Sequence, residues 1–451
     1  MPYARPDGGF ERASRLGQVD MAKSEVVREA MARWETPAVA TEPPVDLQNR
    51  LLALADLPAP ERPDTTYVLA FDGSIQEVAA REEYPSVRVD YLQLAGVAVV
   101  LSKFFSAWDG PFVDPKKQAA AVSSQIVNAV LPGSNVSSPG SSSVDTWRQE
   151  VHELFRTRGV SDFGETVTLL DALDRLFGSV GNVEVGYCPA EGCVQRRFSV
   201  RLEGEPCPGC GTQVWPTDVL RTHEEFDPDG SNLTPLGRLM SVCERLLMTI
   251  YVDGLLTAAP ESLARGLFVT DGPLALFGTV APMKRRLVTW LGSVTSRLAS
   301  LGLQPPLVVG IEKSGAFVDH AAALRQWIPT GHVLHMDEQY IRTRVAKRAP
   351  GADPYGKDEF YGRRFVYKTS TERLLVVTVP RSTGQPYAEA GCEDLAGYPT
   401  LKSTLQVLDA IQTRLYADAV IPVALAHSAA ALPLGTGTRV LQDLAKQALS
   451  V

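Results

Sequence analysis

The chain has 451 residues, 45% hydrophobic and 21% charged, enough for two or three domains or one large domain with insertions around a sizeable core. Its 44 basic and 52 acidic residues leave a net charge of −8. That balance excludes a surface coated in positive charge and confines any nucleic-acid binding to a local basic groove.

No stretch approaches the roughly 18 uncharged apolar residues of a membrane helix, so no membrane partner is expected. The first ten residues include Arg5 and Asp7 and lack the apolar run of an export signal. The six cysteines are few for the length, and four cluster at metal-site spacing, which fits a reducing cytoplasm.

In chain order, residues 20–56 read as helical. Ser24-Glu-Val-Val-Arg-Glu-Ala-Met-Ala-Arg-Trp34 has apolar positions at helical spacing, and Asp46 begins a second run as its N-cap. Pro58, Pro60 and Pro63 break the chain. The first strand, Tyr67-Val-Leu-Ala-Phe-Asp72, ends on Gly73-Ser74. With strands at 87–94 and 96–102 it predicts an antiparallel meander. Residues 133–145 are a Ser/Gly-rich loop or linker, followed by helical patterns at 146–156 and 165–177. A cysteine segment occupies 184–222, and a long amphipathic helix covers 235–256. Beyond residue 260 the pattern becomes α/β. Strands are expected at 266–271 and 306–311, helices at 283–301 and 404–417, a hairpin from 365–368 and 374–379, and a short apolar segment at 420–426 before His427.

Cys188-Pro-Ala-Glu-Gly-Cys193 and Cys207-Pro-Gly-Cys210-Gly form two knuckles separated by thirteen residues. Tight Gly/Pro turns let paired thiolates converge from one loop, which is how tetrahedral zinc collects four soft ligands. Arg196-Arg-Phe-Ser-Val-Arg-Leu between them alternates like a ribbon strand. Four cysteines close the coordination sphere, so this Zn²⁺ is expected to be structural. His223 is an alternative ligand that the quartet does not need. Cys243 and Cys392 read as buried thiols.

Two strands end alike, in Phe71-Asp72-Gly73-Ser74 and Thr270-Asp271-Gly272-Pro273. A single Asp-Gly is an ordinary turn. Two of them closing buried strands of one α/β domain point to shared metal ligation. Mg²⁺ and Mn²⁺ prefer oxygen ligands, and carboxylates converging from several elements suit them. Glu244 sits beside Cys243 and Leu246–Leu247, near the apolar face of the long helix.

Taken in order, these residues resemble the NurA family, nucleases with a ribonuclease H-like fold. The resemblance rests on the Phe71-Asp-Gly-Ser strand, the helix carrying Glu244, Val269-Thr-Asp271-Gly, Val309-Gly-Ile-Glu-Lys313-Ser, the 374–380 strand and Pro422-Val-Ala-Leu-Ala-His427. It implies an α/β, ribonuclease H-like mixed sheet with flanking helices. The expected organisation is an N-terminal helical segment (1–60), a first core part with a helical insertion (61–183), an inserted zinc ribbon (184–222) and a second core part (223–451). It further implies that Asp72, Glu244, Asp271 and His427 bind metal, with His427 as a nitrogen ligand or proton-transfer group that suits Mn²⁺ better than Mg²⁺. Lys313 matches a lysine that steadies the scissile phosphate. The cysteine segment and residues 110–186 are additions to the compact family core.

A basic stretch carries Arg342, Arg344, Lys347, Arg348, Lys357, Arg363, Arg364 and Lys368, interleaved with Tyr355, Phe360, Tyr361, Phe365 and Tyr367. Arg342, Arg344, Lys347, Arg348, Arg363 and Arg364 are the expected DNA contacts, by phosphate neutralisation beside base stacking. A solvated charged loop is the competing reading. The expected function is metal-dependent DNA cleavage, which the resemblance implies serves end processing or defence against foreign DNA. The resemblance adds a homodimer and a HerA-type hexameric ATPase as partners, since the chain has no Gly-x-x-x-x-Gly-Lys-[Ser/Thr] loop of its own. A non-catalytic DNA-binding adaptor, or a nuclease acting on RNA or structured DNA, remain the alternatives.

Overall fold

The structure, a computed structural model, describes residues 3–4, 10–11, 21, 23–34, 42–58, 60–81, 83–109, 112–179, 181–346, 353–381, 395–412, 420–432 and 436–449. The chain divides into two compact units, 1–43 and 44–451. In the first, helix α1 (Glu25–Ala32) is capped by Ser24, whose hydroxyl accepts from the Val27 N–H, and none of its residues is buried.

The second unit is built on a nine-stranded mixed sheet. Its strands are β1 (Leu51–Ala53), β2 (Tyr67–Ala79), β3 (Arg88–Val100), β4 (Val122–Pro132), β5 (Gly266–Asp271), β6 (Leu307–Glu312), β7 (His332–His335), β8 (Arg363–Lys368) and β9 (Leu374–Val379). Their order across the sheet is β1-β7-β8-β9-β6-β5-β2-β3-β4. At the centre β5 runs parallel to both β2 and β6, and every other pairing is antiparallel. β5 and β6 are covered on both faces, which is why they read as continuous apolar runs rather than alternating ones.

The flanking helices are α2 (Ser143–Thr157), α3 (Leu169–Phe177), α4 (Leu233–Ala258), α5 (Lys284–Ser300), α6 (Leu401–Ala410) and α7 (Ile421–Ala430). Side-chain alternation along the strands divides the core. Leu69, Phe71, Leu92 and Leu94 face one way and pack with α2 to α5. Val68, Ala70, Val97 and Val99 face the other way and pack with α6 and α7. No described helix is long and apolar enough to cross a membrane.

Several local expectations change. Residues 46–56 are not one continuous helix but two short 3-10 turns, Gln48–Arg50 and Leu54–Asp56, on either side of the extended Leu51–Ala53. Leu51 and Leu52 pair with Leu334 and Val333 at the edge of the sheet, and that tertiary pairing overrides the helical propensity of the leucine run. β2 does not stop at Gly73 but continues to Ala79, and residues 88–100 form one strand instead of two. β4, absent from the sequence reading, completes the meander as its outer strand. The apolar segment before His427 is helix α7, opened by Pro422 in its first turn. The helix expected at 404–417 spans Leu401–Ala410, and residues 413–419 lie outside the described residues. Finally, α4 is not simply amphipathic, because Val242 to Val252 are buried without a break.

A candidate metal centre

The parallel pairing of β2 and β5 sets Thr270 against Phe71, so the next pair along the two strands is Asp271 and Asp72. Asp72 is 6% exposed, and Asp271 closes its strand at the half-buried margin. Gly272 follows with φ +92°, a backbone conformation that needs glycine and turns the chain sharply after the carboxylate. From the other side of the sequence, α7 lays His427 over this pair. Its Nδ1 lies 2.8 Å from Asp72 Oδ2 and 3.9 Å from Asp271 Oδ2. The ligand atoms of Asp72, Asp271 and His427 all lie within 4.8 Å of one another.

Lys313, the first residue after β6, places Nζ 2.6 Å from Asp271 Oδ2. An ammonium therefore already sits against the acidic pair, as expected of a cluster that attracts cations. Asp72 Oδ1 accepts from the Gly73 N–H at 2.8 Å. Burial, then repulsion from Asp271, pushes the Asp72 carboxyl up to about 6, against the pull of its bond to His427.

Glu244 stands behind this trio and is not one of the converging ligands. It is 4% exposed on α4. Its Oε1 lies 3.0 Å from where a side chain on Gly73 would begin, and Met240 Cγ lies 2.6 Å from the same point. Only glycine at 73 lets the helix approach the strand so closely. Burial drives the Glu244 carboxyl up to about 7, with Arg245 opposing and Asp72 and Asp271 adding to the rise. A divalent cation would relieve the mutual repulsion of all three acids.

Arg245 was not singled out by the sequence reading. It is 3% exposed. Its guanidinium donates to Glu244 Oε2 at 2.7 Å, to the Tyr361 hydroxyl at 2.9 Å and to the Pro273 carbonyl at 3.1 Å. It ties the helix bearing Glu244 to the turn behind Asp271. The available signal was an adjacent acid and base ahead of the uncharged run Leu246–Val252. Arg245→Met is expected to lower stability by about 3–5 kcal/mol, because it strands a buried carboxylate. The loss should be larger at pH 8 than at pH 5, where Glu244 takes up a proton, and Arg245→Lys should recover only part of it. Urea unfolding at the two pH values measures both.

The basic stretch does not form the surface expected of it. Arg363 is 2% exposed and donates to the Met336 carbonyl, while Arg364 is 5% exposed and paired with Glu312. The Arg364 guanidinium lies 4.0 Å from the Phe317 ring centre and 3.9 Å from that of Phe360. Both arginines are therefore structural core residues held by protein partners, not the DNA contacts expected of them. Phe360, Tyr361, Phe365 and Tyr367 are likewise buried and cannot stack on bases. Arg344 is exposed, and Arg342, half-buried, lies 3.7 Å from Glu338. Lys347 and Arg348 lie outside the described residues.

The four cysteines come together apart from this centre. Strands Asn182–Tyr187 and Arg196–Arg201 pair antiparallel and present Cys188 and Cys193 at one end. A second ribbon, Glu205–Pro206 with Gln213–Val214, presents Cys207 and Cys210. Cys188 and Cys210 sulfurs are 3.6 Å apart, and Cys193 and Cys207 sulfurs 3.8 Å. Tetrahedral zinc with Zn–S bonds of about 2.3 Å needs S···S separations of about 3.8 Å, so the quartet fits that ion. His223 is not part of the quartet and lies 3.7 Å from Asp218. Cys243 is fully buried, and Cys392 lies outside the described residues.

The fold and this site together define a mixed α/β protein with a carboxylate–imidazole cluster suited to a divalent cation. No protein-family model and no curated protein matches the chain. Among solved structures it is similar to the NurA nuclease from Sulfolobus solfataricus, over 97% of this chain and 98% of that one, at 10% identity and a TM-score of 0.33. It is also similar to a second NurA crystal structure, over 96% of each chain, at 10% identity and a TM-score of 0.27. At these scores the likeness defines neither fold nor chemistry.

Proposed function

We propose that the chain is a metal-dependent nuclease of the NurA kind that hydrolyses DNA phosphodiesters. The observation that carries this is the convergence of Asp72, Asp271 and His427 ligand atoms within 4.8 Å, drawn from a parallel strand pair and a helix far apart in sequence. Two carboxylates and an imidazole suit Mn²⁺ or Mg²⁺. Asp72, Asp271 and His427 would hold such an ion, which would supply Lewis-acid activation of a phosphodiester and of water near neutral pH. The chain's own residues do the rest. Asp72 and Asp271 hold the anionic floor of the site, and Arg245 fixes Glu244 behind it. With Nδ1 turned to Asp72, His427 keeps Nε2 for a ligand or a proton. Lys313 can exchange Asp271 for a phosphate oxygen of the substrate.

On this reading the sheet is a ribonuclease H-like core and the cysteine quartet a structural zinc site. Movement along DNA would come from a HerA-type hexameric ATPase. The test is to assay the purified chain on single- and double-stranded DNA and RNA with Mn²⁺, Mg²⁺ or EDTA. DNA cleavage that requires the metal is expected, with ATP-dependent stimulation on long duplexes when the ATPase is added. No cleavage of any substrate would leave the non-catalytic adaptor.

A further inference from the structure

Arginines in the core of this chain are paired. Arg148, Arg245 and Arg364 each lie against a carboxylate, and Arg363 donates to a backbone carbonyl. A guanidinium stays charged under all ordinary conditions, so leaving one without an acceptor away from water is costly. Arg381 breaks the pattern. Its Nε and Nη1 are both sealed from solvent, and neither has a hydrogen-bond partner.

The guanidinium lies across Gly397, with Nε 2.7 Å from where a side chain there would begin, so only glycine admits it. It also lines a cavity of about 40 Å³ between α5, Pro305–Pro306 and the start of α6. One water needs roughly 10–15 Å³ of such space, so the cavity holds about three waters or one small oxyanion group, and no nucleoside. Thr400, the N-cap of α6, lines it too. It is 9% exposed, and its hydroxyl makes no capping bond. The other walls are mostly apolar, among them Leu291, Val294, Pro305 and Pro306. No acidic side chain is among the described residues that line the cavity.

We propose that this cavity binds the carboxylate group of a small aliphatic acid. Arg381 supplies the charge, and Thr400 supplies a hydroxyl donor beside the positive end of α6. The charge count selects the ligand. One guanidinium balances one negative charge, whereas a phosphate dianion would carry a second, unbalanced charge between apolar walls. Those walls suit a methyl or ethyl substituent on the acid.

The site is separate from the candidate metal centre. β9 runs antiparallel to β6, with Thr378 opposite Gly310 and Val376 opposite Glu312. Arg381 therefore lies near the Leu307 end of β6, while Lys313 and Asp271 stand at the other end. Leu307 and Glu312 are about 17 Å apart along the strand. Binding at Arg381 does not depend on the proposed nuclease function, and neither reading falls with the other.

The test is isothermal titration of the full chain with sodium propionate, in metal-free buffer at an ionic strength held constant with sodium chloride. Propionate is expected to fill a single site per chain. Inorganic phosphate is expected to bind at least about tenfold more weakly, for want of a second cation. Arg381→Gln should remove propionate binding without lowering the melting temperature of the ligand-free protein, since no protein partner is lost. Thr400→Val keeps the charge and the shape of the cavity and should weaken propionate severalfold. Absence of propionate binding to the wild type overturns the site, as does binding that survives Arg381→Gln. If Arg381→Gln does not fold, Thr400→Val decides, and unchanged binding there has the same force. Phosphate that binds as tightly as propionate overturns the choice of a carboxylate.

Discussion

Asp72→Asn is expected to abolish cleavage and at the same time to make the metal-free protein harder to unfold at pH 8. The two effects have one cause. Asp72 is 6% exposed beside Asp271, and its carboxyl rises from an ordinary 3.8 to about 6. A carboxyl whose folded value exceeds its unfolded value favours the folded state below the unfolded value. That contribution is lost as pH rises through the folded value. Above pH 6 the metal-free protein therefore carries a buried charge that costs stability, and Asn removes it, for a gain on the order of 2 kcal/mol. At pH 5 the gain should shrink. With saturating Mn²⁺ the order should reverse, because only the wild type retains the full ligand set. Cleavage should fall by at least about a hundredfold, since altering even the groups that support a ligand costs 10–100-fold. Asp271→Asn should also lose cleavage, and it frees Lys313 from its partner. Thermal melts at pH 5 and pH 8, in EDTA or Mn²⁺, and cleavage assays read both effects. Near wild-type cleavage by either variant would remove that residue from the site.

Cys207→Ser with Cys210→Ser is expected to empty the cysteine quartet and leave residues 182–214 open to protease. The module has almost no core beyond Val185, Val200 and Val214. A handful of valines cannot hold such a fold, whereas structural zinc supplies roughly 10–16 kcal/mol of apparent binding energy in zinc-finger peptides. Metal analysis should find about one zinc per chain, retained when weakly held Mn²⁺ is dialysed away. Residual nuclease activity is expected in the variant. The module meets the rest of the protein where the buried Arg148 guanidinium donates to the Gln213 carbonyl, and the segment that follows it is anchored by the Arg148–Asp218 ion pair and the stacking of Trp215 on His152, not by Asp72, Asp271 or His427. Zinc-free protein from a chelator-free purification would defeat the assignment.

The elements that sequence reading located best are those whose pattern is set by their own residues. β5 and β6 are apolar throughout, and the β8–β9 hairpin and the paired cysteines carry their turn chemistry locally. Elements decided by distant partners were hidden. Leu51–Ala53 is extended only because β7 offers an edge, and β4 alternates weakly because its even-numbered side chains stand at an open margin. The same distinction explains the basic stretch. Arginine in sequence signals a surface, but the burial of Arg364 depends on Glu312, 52 residues earlier, and on Phe317 and Phe360. At the metal centre, both Asp-Gly pairs were visible as motifs. The distance between Glu244 and the trio was not, because it follows from how closely α4 approaches Gly73.

The contact between His427 and Asp72 joins residues 355 positions apart. A ribosome adding about 5–20 residues per second takes roughly 20–70 s to cover that interval. Over the last 156 of those residues the nascent polypeptide holds both Asp72 and Asp271 but still lacks the His427 imidazole. On the proposed function, a partly made chain therefore has an incomplete set of ligands. Chain connectivity would then time the assembly of the centre, because His427 is the last of the three residues to be synthesised.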